Sequence, residues 1–187
     1  VHQNNGMLTT AKAVSSGISR SMLAHLVKCG RLLRPARGVY TLPEIWEDEF
    51  LNLQTRFKRG IFSHETALFL WDLTDRTPLA YYMTFPTNYN LANPKKEGVR
   101  CAQVKPKWYA LGITEVNSPA GNPVHCYSME RTLCDILRPH HAGDIQITAE
   151  VFKRYTNSPQ KNIPLLSDYA QDLGVEKKIR TYLEVLL

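Results

Sequence analysis

The first 43 residues contain no aspartate and no glutamate. They do contain Lys12, Arg20, Lys28, Arg31, Arg34 and Arg37. The rest of the chain holds all 17 acidic residues and is balanced by its own basic ones, so the net charge of +6 is entirely N-terminal. A cationic lobe on a neutral body is the electrostatic footprint of a module that binds a polyanion.

Other absences narrow the classes further. No apolar run approaches the ~18–20 residues that cross a bilayer, and residues 1–7 are polar, unlike a secretory leader. The expectation is a cytoplasmic chain without a membrane partner. The four cysteines, Cys29, Cys101, Cys126 and Cys134, form no Cys-x-x-Cys pair and read as reduced thiols. Cys126 and Cys134 with His140 or His141 match no common zinc spacing, so neither metal nor cofactor is expected. There is no Gly-rich phosphate loop, no His-Glu-x-x-His and no ordered Ser/His/Asp set. The chain therefore reads as something other than an enzyme. At 43% apolar composition it still has enough hydrophobic material for a real core.

The basic segment has a helix-turn-helix pattern. Thr10 is placed to cap a helix over 11–16, and Gly17 supplies a turn that favours left-handed backbone. Ser19 is placed to cap a second helix, with Ile18 and Leu23 as a hydrophobic staple around the cap. Leu23, Leu26 and Val27 form its buried stripe, and Gly30 ends it. The opposite face is Arg20, Ser21, Ala24, His25 and Lys28, the side chains a recognition helix offers to a major groove. Arg20 and Ser21 are best placed for base edges and Lys28 for a phosphate. Residues 31–42 then give two short apolar strands around Pro35-Ala36-Arg37-Gly38, a β-hairpin wing with Pro35 at the second turn position. The predicted DNA contacts are Thr10, Ser19, Arg20, Ser21, His25, Lys28, Arg31, Arg34 and Arg37.

The chain divides near Leu42-Pro43: a winged helix-turn-helix over 1–42, a connecting helix over 43–60 opened by an acidic stretch and stopped at Gly60, and a second domain over 61–187. In the second domain Ser63 reads as the cap of a helix over 64–72. Strands are expected over 81–85, 100–104, 113–116 and 124–127, with loop over 87–98. Helices follow over 129–137, 147–156, 164–173 and 175–187. The fold class is α+β, with the winged helix followed by a mixed α/β domain.

The segment "LTTAKAVSSGISRSMLAHLVKCGRLLRPARGVYTLP" from Leu8 resembles the N-terminal domain of the AbiEi family of type IV toxin–antitoxin and abortive-infection systems. "FSHETALFLWDLTDRTP" from Phe62, "YSMERTLCDILR" from Tyr127 and "LLSDYAQDLGVEKKIRTYLEVL" from Leu165 resemble that family's C-terminal domain. The resemblance implies an antitoxin that binds inverted repeats in its own operator, represses its operon, and counters a nucleotidyltransferase-like toxin without needing a stable complex with it.

In the second domain Arg131 and Asp135 are spaced i, i+4 and read as an intrahelical ion pair. Glu130 and Arg131 are expected to tie helix to sheet. His64 reads first as an N-terminal helix residue, then as a core histidine, then as a ligand. Lys95, Lys96, Arg100, Lys105 and Lys107, followed by Trp108 and Tyr109, read as solvated cations or as an antitoxin surface. Two other functions remain open: a ligand-sensing winged-helix repressor, and a metal-dependent nuclease using Glu130 and Asp135.

Overall fold

Thr9 and Ser19 begin the two N-terminal helices in the same way. Each has extended backbone, and each side-chain oxygen accepts a bond from the amide three residues on, Lys12 or Met22. This satisfies one of the donors that a helix start leaves open. The computed structural model of the chain describes residues 7–43, 48–139 and 145–186. It divides into two compact units, Val1–Lys58 with Asn117–Val124, and Arg59–Val116 with His125–Leu187.

The first unit runs β1 (Met7–Thr9), α1 (Thr10–Ser15), α2 (Arg20–Lys28), β2 (Leu33–Ala36), β3 (Val39–Thr41) and α3 (Glu49–Arg56). Its sheet order is β1-β3-β2, with Leu8 opposite Tyr40 and both pairings antiparallel. Leu8, Ala13, Leu23, Leu32 and Tyr40 form the core, with Ile18, Leu26, Val27 and Leu42 packed against it. Burying each large apolar side chain is worth roughly 1.5–3 kcal/mol. Ala13 is fully buried, and its small side chain suits a close helix crossing.

Three local expectations shift. The first cap is Thr9, not Thr10. Thr10 is the first helical residue, and its amide and hydroxyl both donate to the carbonyl of Gly38, at 2.8 and 3.3 Å. Pro35 is not in the turn. It lies in β2, an edge strand, at a register shift between Leu33 and Ala36. An edge tolerates proline because no ladder donor is needed there. The turn is Arg37-Gly38, and Gly38 takes φ +86°. The connecting helix starts at Asp48, whose carboxylate caps Leu51, and ends at Arg56, before Gly60. Residues 44–47 of the acidic stretch lie outside the described residues.

The second unit contains β4 (Ile61–Phe62), α4 (His64–Leu70), β5 (Tyr82–Pro86), α5 (Ala92–Lys96), β6 (Arg100–Val104), α6 (Pro106–Tyr109), β7 (Ile113–Asn117), β8 (Pro123–Tyr127), α7 (Met129–Ile136), α8 (Ile145–Asn157), α9 (Ile163–Leu173) and α10 (Glu176–Leu186). The tip joining β7 to β8 is counted with the first unit. The sheet order is β6-β5-β4-β8-β7. β4 is antiparallel to β5 and parallel to β8, and β5 is parallel to β6. Every residue of α7 is buried. Leu133, Phe152, Tyr155, Leu166 and Ala170 make the centre of the helical core. Gly60 is required beside the sheet, because a Cβ there would stand 2.7 Å from Met83 Cε and 2.9 Å from the Phe85 ring.

This α+β architecture agrees with the sequence expectation. The predicted loop over 87–98 contains α5, and α6 was not anticipated. Among the described residues no helix is long and apolar enough to cross a membrane.

Candidate nucleic-acid interface

α2 separates its two faces cleanly. At about 100° per residue, Arg20, Ala24, Lys28, Ser21 and His25 fall within an arc of roughly 140°. All five are exposed, while Leu23 on the far side is buried and Leu26 and Val27 are half-buried. Ser19 Oγ lies 2.9 Å from Ser21 Oγ and accepts from the Met22 amide at 3.1 Å. Two predicted contact residues therefore also shape the helix start. His25 Nε2 is 3.5 Å from Cys29 Sγ one turn later.

The wing adds Arg34 on β2 and Arg37 in the turn, both exposed, and Arg31 is exposed in the loop before it. The Arg34 guanidinium lies 5.9 Å from the centre of the Tyr40 ring, within cation–π range. Among the described residues Lys12, Arg20, Lys28, Arg31, Arg34 and Arg37 form no salt bridge, so their charge is not spent internally. Thr10 is half-buried and its hydroxyl hydrogen is committed to Gly38, which makes it a support for the wing.

A buried carboxylate ties distant parts of this unit together. Asp48 is 3% exposed. One of its oxygens accepts from the Leu51 amide at 3.1 Å. The other accepts from Ser118 Oγ at 2.5 Å and Asn122 Nδ2 at 2.9 Å. Asn122 Nδ2 also lies 3.4 Å from Met7 Sδ on β1. Nothing local in the sequence marks this cluster, because Asp48 lies 70 and 74 residues from Ser118 and Asn122.

In the second unit Lys95, Lys96, Arg100, Lys105 and Lys107 are all exposed. They lie on α5, β6 and α6, with Lys105 at the cap position before α6, and β6 is an edge strand. Lys105 Nζ and the Arg138 guanidinium lie 5.8 and 5.7 Å from the Trp108 ring centre. Burial pushes the Cys101 thiol up, with Lys95 opposing.

The side chains of Glu130, Arg131 and Asp135 make contacts within the protein. Arg131 donates to Asp135 and to the carbonyls of Trp108 and Leu111, at 3.0, 2.5 and 3.0 Å. Glu130 accepts from Tyr155 Oη at 3.0 Å and the Asn162 amide at 3.2 Å. Both acids are therefore held by protein groups. Among the described residues no group of three or more His, Cys, Asp or Glu is arranged to hold a metal. Cys126 and Cys134 are buried, and burial pushes the Cys134 thiol up to about 12. His140 and His141 lie outside the described residues.

His64 opens α4 as a buried residue with φ +53°. Its Nδ1 is 3.0 Å from Ser63 Oγ, and its ring centre is 4.2 Å from that of Tyr82. Ser63 makes no cap bond. Its oxygen instead accepts from Thr84 Oγ1 at 2.9 Å, linking α4 to β5.

Residues 1–43 match the family model for a transcriptional regulator, AbiEi antitoxin. No curated protein matches the chain. Among solved structures, a crystal structure of the RV2827C protein from Mycobacterium tuberculosis is similar over 88% of this chain, with a TM-score of 0.54 and 16% sequence identity. The chain spans 66% of that protein's length. At this identity the likeness concerns the fold alone.

Proposed function

We propose that the chain is a DNA-binding antitoxin of the AbiEi type. The regulator match covers 1–43, the acid-free stretch whose described residues, 7–43, form the winged helix with an exposed cationic face. That coincidence is the observation that carries the reading. In it, residues 1–42 are the DNA-binding domain, 43–60 connect, and 61–187 carry the antitoxin role. α2 enters the major groove with Arg20 and Ser21 toward base edges, and His25 and Lys28 follow along the same face. Arg31, Arg34 and Arg37 meet phosphates beside the groove.

Inverted repeats in the operator recruit one copy per half-site, and bound protein represses its own operon. The second unit counters a nucleotidyltransferase-like toxin through the surface of Lys95, Lys96, Arg100, Lys105 and Lys107. The protein works where the chromosome is, in the cytoplasm, without catalysis of its own.

The test is fluorescence anisotropy of the full chain with a duplex carrying the inverted repeats of its own promoter. Specific binding that is lost in an Arg20→Ala, Arg37→Ala variant supports the reading. Undiminished binding by that variant moves the interface elsewhere and refutes it.

A further inference from the structure

The exposed face of α2 is not polar throughout. Arg20 and Ser21 stand at its start and Lys28 at its end, but its middle turn presents Ala24, which is exposed. On the helical wheel Ala24 lies between Arg20 and Lys28, about 40° from each, with Ser21 and His25 beyond. The direction of this face is set from behind. Leu23 is fully buried in the small core that also holds Ala13, and Leu26 and Val27 pack against the same core. α2 therefore cannot rotate about its axis without exposing apolar side chains, and Ala24 stays turned outward.

The dimensions of duplex DNA give this position a meaning. A helix with its side chains is roughly 10–12 Å across, close to the width of the major groove. The middle turn of a short helix seated there comes nearest the groove floor, and a long side chain at that point would hold the backbone away. Alanine has the shortest side chain that still favours helix fully. The longer Arg20, His25 and Lys28 then reach past it.

From this we infer that Ala24 is a specificity-determining residue of the operator contact, its methyl group packing on the C5-methyl of a thymine. The inference rests on the DNA-binding reading given above. Thymine is selected by what the other bases present. Guanine and adenine turn polar atoms toward the major groove, and cytosine an amino group without a methyl beside it. Covering such atoms with an alanine methyl removes water and returns no hydrogen bond. Residues four apart on a helix are separated by about 6 Å along its axis, and stacked base pairs by about 3.4 Å. The thymine accordingly lies about two base pairs from the base that Arg20 reads, once in each half-site.

The experiment measures fluorescence anisotropy of the full chain with the duplex of its own promoter, replacing each thymine of one inverted repeat by deoxyuridine in turn. Deoxyuridine pairs as thymine does and lacks only the methyl group. The expected result is one position whose replacement weakens binding about 4-fold, the worth of one buried methyl group. Ala24→Gly should bind both duplexes more weakly and lose the difference between them. Each comparison sets two duplexes against one protein, so any loss of helix stability in the variant cancels. Indifference of the unaltered chain to every replacement, or a thymine effect that persists in Ala24→Gly, would overturn the assignment while operator binding itself stands. Failure of the unaltered chain to bind the promoter duplex at all would instead refute the DNA-binding reading, and this inference with it.

Discussion

Arg131 Nε donates to Asp135 Oδ2 at 3.0 Å, and the two side chains are 0% and 3% exposed. The guanidinium also lies 4.5 Å from the centre of the Tyr127 ring. A cation taken this far from water is tolerable only because a carboxylate, two carbonyls and an aromatic face replace its hydration. Removing Arg131 leaves the Asp135 carboxylate buried with only the partly exposed Arg138, at 3.7 Å, as a counter-charge. Arg131→Met should therefore destabilise the chain by about 3–5 kcal/mol, and adding Asp135→Leu should recover part of that loss. Urea titration of both variants checks this; equal loss in single and double variants would contradict the pairing.

Base and phosphate contacts separate experimentally. Arg20→Ala should cost about 1–3 kcal/mol on operator DNA and little on random duplex. Arg37→Ala should weaken both alike. With Lys28, Arg31, Arg34 and Arg37 assigned to phosphates, the slope of log affinity against log salt should be roughly −4, and removing any one of these four should reduce its magnitude by about 1. A slope near zero would exclude phosphate neutralisation as the source of affinity.

Asp48→Ala removes a helix cap and strands two buried donors, Ser118 Oγ and Asn122 Nδ2. The cap alone is worth about 1 kcal/mol, and each unsatisfied buried group adds about 1–3. Operator affinity should fall together with the thermal midpoint, as differential scanning fluorimetry and anisotropy would show. Unchanged stability would remove the cluster's assigned role.

Tyr155 supplies a pH dependence. Its phenol is pushed up mainly by burial, and further by the carboxylate of Glu130, to which it donates. A group whose folded value is raised stabilises fully below its unfolded value and loses that contribution as pH rises. With the unfolded phenol near about 10, stability should fall from roughly that pH upward. Tyr155→Phe should lower stability at pH 8 yet flatten the decline, measured by denaturant midpoints from pH 8 to 11. An unflattened decline would assign the alkaline loss to other tyrosines.

The features legible in the sequence are those that a few neighbouring residues decide. Ser19 as a cap, Gly17 and Gly30 as left-handed stops, and the polar arc of α2 all follow from local chemistry, and each is present. The sequence reading places the first cap on Thr10; the cap is Thr9, which has the same side chain, and Thr10 instead bonds the Gly38 carbonyl. Pro35 looked like a turn residue until β3 took the centre of the sheet and left β2 as its edge. β1 spans three residues and owes its existence to partners Val39–Thr41, far along the chain.

The assignment of Asn117–Val124 to the same unit as Val1–Lys58 has a practical corollary. No single cleavage of the polypeptide frees either half intact, because a fragment starting after Lys58 would carry away eight residues whose hydrogen-bonding acceptor, Asp48, stays behind. Separating the proposed roles of the two units is therefore better served by point substitutions in the uncut gene than by truncation, since a severed half would confound lost activity with an orphaned hairpin tip.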